Sequence, residues 1–440
     1  MRLPVIIAGT AILLISSVSA RGEAWSLDSC INYAIDHNLD VRSALIERYK
    51  GDLNVTEAKD RFLPTLSAGA AQSWSFGRGL TAENTYANRN TSSLGWNANL
   101  SLPLFQGLSA LRQLRQAQAN IRTLDLQVED AKDNVTLGIM AYYLQVLYSR
   151  EMLAVRREEL HLSQSQLQRQ NDLLESGKVP EADVLQAKAQ VASGEVAVVN
   201  AENDYRLALV DLTRALELDD TRGFDILPVD FDSTISLPAS ADDVYRNALN
   251  TNNGILAARS GITQADHAVS IAKSGYLPTL SFNAGLGSNY YTLSGVENPS
   301  FARQMKDNFS KSIGFSLNIP IFDAFSTRNR VRQARAQRLS AELEVQRRES
   351  DLLKTIRQAY SQAEGATAQY KAGEAAVTSA KAALDAMTDK YTYGRANATE
   401  WEQARSNYIT TLSQQVQAKY EMILRTRILN FYNNGSQANR

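Results

Sequence analysis

The chain has 440 residues, room for two or three ordinary domains, and is rich in Ala, Gln, Leu and Arg with only 9 Pro, which points to helix. Its 46 basic and 47 acidic residues leave a net charge of −1, and no basic stripe invites nucleic acid. A single cysteine, Cys30, excludes an intramolecular disulfide framework and any multi-cysteine metal site. Three scattered histidines (His37, His161, His267) leave little material for a zinc or histidine-dependent enzyme.

Residues 1–20 read as an export signal. Met1-Arg2 supplies a short positive region, residues 5–15 an apolar stretch, and Val18-Ser19-Ala20 a small-residue cleavage site. The mature chain is then expected to begin at Arg21, and Cys30 lies too far from the cut to be a lipidated first residue. Beyond residue 20 no segment is apolar enough to cross a bilayer as a helix. An exported protein of this kind that enters a membrane must do so as a closed β-barrel, where every backbone group is paired.

The next block, 21–218, reads as a first structural repeat. Trp25 to about Arg61 carries a short helix and a longer one, broken near His37-Asn38. Leu63-Pro64-Thr65-Leu66-Ser67 then opens two alternating runs, expected as strands at about 62–77 and 92–105. Leu66, Ala68, Ala70, Trp74 and Phe76 share one face, and Leu94, Trp96, Ala98, Leu100 and Leu102 share one face of the partner. The opposite faces carry Ser, Asn, Gly and Thr. At roughly 10 or more residues each, such strands are long enough to span a bilayer when tilted. The polar tip, residues 77–91, reads as an exposed loop.

Long helices follow, expected at about 107–176 and 180–217. Leu114, Ile121, Val128, Val135 and Tyr142 fall seven apart. The stripe slips by four and continues as Val146, Leu153, Leu160, Leu167 and Leu174. That slip is a stutter that relaxes the supercoil. A continuous helix over this span would be on the order of 100 Å long. Ser176-Gly177-Lys178-Val179-Pro180 reverses the chain, with Gly suited to the left-handed position after a helix and Pro to the start of the next. The returning helix pairs a row of Val184, Val191, Val198, Tyr205 and Leu212 with a row of Ala187, Gly194, Ala201, Ala208 and Ala215. The small second row lets a neighbouring helix approach closely.

Residues 219–239 read as an irregular connector, and 240–432 as a second repeat. Its helices before the strands are broken near Asn252-Asn253-Gly254, and Leu277-Pro278-Thr279-Leu280-Ser281 copies the first strand entry. Strands are expected at about 276–291 and 310–322, a polar loop between them, long helices at about 324–393 and 397–432, and a loose tail at 433–440. Leu280, Phe282, Ala284, Leu286 and Tyr290 line one face with Ile313, Phe315, Leu317, Ile319 and Ile321. Gly177 corresponds to Gly394 and Ala187 to Ala404, both at an offset of 217. Four strands cannot close a membrane barrel, so a cyclic oligomer must share one: three copies would give 12 strands, and two a narrow barrel of 8.

This order of features resembles the TolC family of outer-membrane efflux proteins over essentially the whole mature chain. The residues that carry the resemblance are Gly177 with Asp183-Val184-Leu185-Gln186-Ala187, Tyr391 with Gly394 and Ala404, and the Pro103-Leu104-Phe105 and Pro320-Ile321-Phe322 strand ends. The resemblance implies a mainly α fold with a membrane β-barrel. It is built from a duplicated helix–strand–strand–helix repeat, whose long coiled-coil-like helices form a periplasmic tunnel under a shared 12-stranded barrel. It implies a homotrimer in the outer membrane and its lipid, docked on a periplasmic adaptor (membrane fusion) protein and an inner-membrane efflux transporter or ABC exporter. Such a protein is a passive exit duct of a tripartite efflux pump or type I secretion system. It needs no cofactor, metal or catalytic set.

Implied sites follow. The hairpin tips, with Ser176, Gly177 and Lys178 in one half and Tyr393, Gly394 and Arg395 in the other, would meet the adaptor. Asp183 and Glu400 match the family's acidic tip position and would form a ring of six carboxylates at the entrance of a trimer, favouring cations. An acid in a helix's first turn also offsets the dipole, and Asn397-x-x-Glu400 has the form of a capping box; one residue can serve both roles. Tyr391 matches a gate tyrosine, and is equally the last member of a heptad stripe. The chain departs from the family where Gln403 replaces a deeper acid and Ala396, beside Arg395, replaces a gate arginine. The competing reading is a periplasmic coiled-coil adaptor or scaffold without a pore. The duplicated strand pairs argue against it.

Overall fold

A computed structural model describes residues 24–80, 85–220, 223–228, 237–238 and 240–435. The expected export signal and the middle of the connector lie outside the described residues. The elements are α1 (Leu27–His37), α2 (Leu39–Asp60), β1 (Thr65–Ser75), β2 (Arg78–Leu80), β3 (Tyr86–Asn88), β4 (Thr91–Gln106), α3 (Ser109–Glu175), α4 (Glu181–Ala215), α5 (Ala241–Thr251), α6 (Asn253–Lys273), β5 (Thr279–Leu293), α7 (Phe301–Asp307), β6 (Ser310–Asn318), α8 (Ser326–Thr392) and α9 (Ala398–Asn434). The two longest helices, α3 and α8, have 67 residues each. Among the described residues no helix is long and apolar enough to cross a membrane.

Two compact units emerge. One takes the chain through Arg42, Lys132–Ala241 and Arg357–Phe431; the other takes Ser43–Ala131, Asp242–Ile356 and the residues from Tyr432.

In the first unit α1 packs on the middle of α3. Cys30, Ala34, Tyr143, Val146, Leu212 and Leu216 are buried together, and burial pushes the Cys30 thiol up to about 12, so it behaves as an inert apolar group. Trp25 pairs in parallel with Ile226, its N–H donating to the Asp225 carbonyl and its own carbonyl accepting from Leu227 N–H, both at 2.9 Å. The Tyr143 hydroxyl lies 2.9 Å from the Trp25 carbonyl oxygen and 2.6 Å from that of Leu227, closing the clasp from α3. This pairing orders residues 223–228 within a stretch expected to be irregular.

The second unit holds the sheet and the helices that feed it. Its helices bury Val128, Ile255, Val269, Val331, Val345 and Leu352, and several polar bonds tie them together. Arg112 donates to the Ser270 carbonyl (2.7 Å) and Ser274 Oγ (2.8 Å), Arg48 reaches Asp125 (2.6 Å), and Arg259 reaches Glu349 (2.8 Å). Gly51 has a packing reason to sit inside α2: a Cβ there would lie 2.4 Å from Leu124 Cδ1 of α3.

The four long strands form one antiparallel sheet in the order β1-β4-β5-β6. The two repeats therefore join edge to edge through β4 and β5. Registers place Leu66 opposite Leu100, Ala68 opposite Ala98, Leu100 opposite Ala284, Leu102 opposite Phe282, Phe282 opposite Phe315 and Ala284 opposite Ile313. The apolar positions form continuous cross-strand rows on one face. Ser67, Asn99, Gly285 and Ser312 form a row on the other.

Several expected boundaries shift for physical reasons. β5 begins at Thr279, because Ser274–Tyr276 is a 3-10 turn and Pro278 supplies no N–H. β6 stops at Asn318 instead of 322, since this outermost strand has one neighbour and then meets Pro320. The loop at 77–91 contains the small hairpin β2–β3, and the loop at 292–310 contains α7. α9 runs to Asn434, two residues into the expected loose tail, where Asn247 Nδ2 donates to Asn433 Oδ1 (2.9 Å). α4 ends at Ala215 because Glu217 turns left-handed (φ 55°).

The joints from strand to long helix are built alike. Gly107 and Leu108 have φ of 58° and 66°, and Ala324 and Phe325, each 217 residues on, have 51° and 62°. A left-handed non-glycine residue costs about 1–2 kcal/mol. A Cβ on Gly107 would also lie 2.7 Å from the Ser274 carbonyl oxygen. Gly107→Ala is expected to lower the apparent melting temperature of the detergent-solubilised protein, while Ala324→Gly leaves it unchanged or raises it. Thermal unfolding followed by circular dichroism measures both; equal losses would contradict the strain assignment.

Candidate functional site

Two regions stand out, the exposed sheet and the hairpin tips. On the sheet, the large apolar residues Leu66, Ile313, Phe315 and Leu317 are 75%, 77%, 70% and 61% exposed. Aromatic residues flank this surface: Trp74 and Phe76 on the loop side, Phe105 and Phe322 on the helix side, all exposed. The pattern is that of a sheet whose apolar face looks into lipid between aromatic girdles. β1 and β6 are the outer strands, each with one paired and one open edge.

The upper part of β5 is finished differently. β6 pairs with it only as far as Gly287, and α7 takes over beyond that point. Gln304 accepts from Tyr291 N–H through Oε1 and donates to the Tyr291 carbonyl through Nε2, both at 2.9 Å. A side-chain amide thus stands in for a strand residue. Ser288 Oγ donates to the Met305 carbonyl (2.8 Å), and Asn308 Nδ2 to that of Asn289 (2.7 Å).

The two hairpin tips repeat one motif. After α3, Gly177 is left-handed (φ 67°), its N–H donates to the Leu174 carbonyl (2.8 Å), and Lys178 N–H donates to that of Leu173 (2.9 Å). After α8, Gly394 (φ 68°) donates to the Tyr391 carbonyl (3.2 Å) and Arg395 to that of Lys390 (2.8 Å). These are paired helix-ending bonds of the kind that require a glycine, and each places a cation next, where the helix dipole favours it. Ser176, Lys178, Tyr393 and Arg395 are all exposed.

The acids differ in their surroundings. Asp183 is half-buried in the first turn of α4, whose cap residue Pro180 offers no side-chain bond. Glu400 is exposed and completes a capping box: its carboxylate accepts from Asn397 N–H (3.0 Å), and Asn397 Oδ1 accepts from Glu400 N–H (2.8 Å).

Tyr391 is the centre of a network joining α3, α8 and α9. Its hydroxyl accepts from Gln166 Nε2 (2.7 Å) and from Gln170 Nε2. The Arg169 guanidinium lies 4.8 Å from its ring centroid and donates to the Tyr391 carbonyl (3.1 Å) and Thr392 Oγ1 (2.7 Å). Trp401 stacks on the Tyr391 ring with centroids 6.1 Å apart and donates to Thr388 Oγ1 (2.9 Å). Arg405, only 2% exposed, bonds Ser163 Oγ and Glu402 at 2.7 Å and faces the Trp401 ring. Gln403 stands exposed on α9 outside this network. Sequence reasoning found Tyr391 but missed Gln166, Arg169, Gln170, Trp401 and Arg405. The one local signal was Trp401, a large aromatic in the first turn of an otherwise Gln- and Ser-rich helix.

The chain matches the family model described as "Outer membrane efflux protein" at residues 30–217 and 244–430, so each repeat is matched separately. It is 25% identical over 418 residues to "Outer membrane efflux protein BepC" of Brucella suis biovar 1 (strain 1330), covering 94% of this chain and 87% of that protein. It is 23% identical over 433 residues to "Outer membrane protein TolC" of Escherichia coli (strain K12), covering 96% and 84%. Its fold is similar to the crystal structure of the Campylobacter jejuni CmeC outer membrane channel, with a TM-score of 0.76, 19% identity, and 93% of this chain and 85% of that one covered. With both repeats matched, the chain belongs to the outer membrane efflux protein family.

Proposed function

We propose that three copies of this chain close a single 12-stranded barrel in the outer membrane, with their long helices forming a tunnel in the periplasm. The observation that supports this most directly is the continuous apolar row across β1, β4, β5 and β6, exposed on a sheet with two open edges. In lipid an open edge leaves backbone groups unpaired at several kcal/mol each, and pairing β6 of one copy with β1 of the next removes both edges. The Ser, Asn and Gly face then lines an aqueous lumen. The protein acts as the passive exit duct of a tripartite efflux pump or type I secretion system.

The hairpin tips form the periplasmic entrance, with Ser176, Gly177, Lys178, Tyr393, Gly394 and Arg395 offered to a periplasmic adaptor. An inner-membrane efflux transporter or ABC exporter supplies the energy. Asp183 and Glu400 ring the entrance and favour cations. Glu400 does this while capping α9, since its carboxylate keeps acceptor capacity beyond the Asn397 bond. Tyr391 and its partners hold the tip in place.

Membrane extraction tests the assembly: detergent alone should release a trimer-sized particle with heat-modified mobility, and release by salt would sink the duct in favour of a periplasmic scaffold. Planar-bilayer recording tests the ring. The double substitution Asp183→Ala, Glu400→Ala is expected to abolish cation preference and block by polyvalent cations. Unchanged selectivity would remove the ring and leave Glu400 a cap only.

A further inference from the structure

We propose that the loop-side margin of the sheet holds the phosphate-bearing headgroup of an anionic outer-leaflet lipid between Lys306 and Lys311. This rests on the outer-membrane reading above. Among the described residues, Lys311 is the only charged side chain within the four long strands on the apolar face, cross-strand from Leu286 and two residues from Ile313. A cation on a lipid-facing surface is tolerated where it can reach the headgroup region. Lys311 does so: its ammonium group lies over the Phe309 ring, 5.5 Å from the centroid, directed along the strand toward the β5–β6 connection. Phe309 in turn packs on Trp96, with ring centroids 6.2 Å apart.

The unbroken apolar rows end near this level. Below it the rows are Ala284 with Ile313, Phe282 with Phe315 and Leu280 with Leu317. Above it Ser288 and Gln72 enter the same face beside Trp96 and Tyr290.

The second cation is placed by α7. Lys306 is exposed, and its carbonyl accepts the Phe309 N–H (3.4 Å), which joins the end of α7 to the start of β6. The one acid on α7, Asp307, is paired with Arg303 at 3.5 Å, so the helix adds no net negative charge. α7 is anchored to β5 by the paired Gln304 bonds and by Ser288. Lys311 thus lies on an aromatic platform, and Lys306 is exposed at the end of the fixed helix five residues before it. Acyl chains would lie on the Leu286 and Ile313 surface, a sugar headgroup would lie on the rings, and its phosphate would be shared by the ammonium groups.

The test uses the full-length protein in detergent, titrated with bisphosphorylated lipid A and with its fully dephosphorylated form, bound lipid being counted by native mass spectrometry. The wild type is expected to prefer the phosphorylated lipid by roughly tenfold or more, and Lys306→Gln with Lys311→Gln to lose that preference. Lys178→Gln, at a hairpin tip, should keep it. Equal binding by the double variant, or displacement of the lipid by millimolar inorganic phosphate, overturns the proposal. A wild-type protein that fails to fractionate with the outer membrane fails the duct reading instead, and a trimer that conducts but ignores the phosphates fails only the headgroup site.

Discussion

The double substitution Ile313→Arg, Phe315→Arg is expected to prevent assembly into the outer membrane, whereas Ser316→Arg, between them and Leu317, should be tolerated. All three positions lie on β6 and all are exposed, so a soluble protein would accept any of them at little cost. In lipid the parity decides. An arginine on the lipid face of a barrel costs about 2–4 kcal/mol near the midplane, and two such residues consume a large share of the roughly 5–15 kcal/mol that holds a native protein together. Phe315 also gives up its contact with Phe282, whose ring centroid lies 5.4 Å away. Ser316 lies opposite Ser281 on the polar face, where a charge stays in water. Heat-modified mobility of the membrane fraction reads the result. If the two variants behave alike, the assignment of faces is wrong.

The second large effect is expected at Tyr391. Tyr391→Phe combined with Arg169→Ala should raise the mean conductance of single channels in planar bilayers, while Gln403→Ala should not. The phenol oxygen is the acceptor for two buried glutamine amides, and leaving such groups unpaired costs about 1–3 kcal/mol each. Loss of the Arg169 cation from the ring and from the end of α8 removes about another 1 kcal/mol or more. If Tyr391 holds the tip closed, as we propose, these losses together would shift its opening equilibrium by a factor on the order of a hundred or more. An unchanged conductance would leave the Tyr391 network a purely structural brace. The tie is built from amides, a phenol and an arginine on a ring, so it does not depend on Ala396 or Gln403.

Much of this protein was legible in its residues because the signals are local. A left-handed glycine between two heptad seams marks a hairpin tip, and Gly177 and Gly394 are left-handed as that spacing requires. Alternation sorts the strand residues onto two faces without any knowledge of the strand order. A proline after a helix marks the seam where helix gives way to strand. α3 and α8 start 217 residues apart (109 and 326) and have equal lengths, the separation read from the letters alone.

What the tertiary structure alone decided is which segments meet. The sequence implied two strand pairs, but only the fold shows the repeats joined through β4 and β5, because strand neighbours are chosen by non-local packing and register. It also put α7 where the upper half of β6 would have been: Gln304 is an unremarkable polar residue in a loop until its amide pairs with Tyr291. The glutamines that bond the Tyr391 hydroxyl lie more than 220 residues away in the chain, and no periodicity within one helix reports a hydrogen bond to another. Lys311 reads in sequence as an ordinary charge at a strand start. Among the described residues of the four long strands it becomes the one cation on the apolar face only once β6 is placed in register with β5.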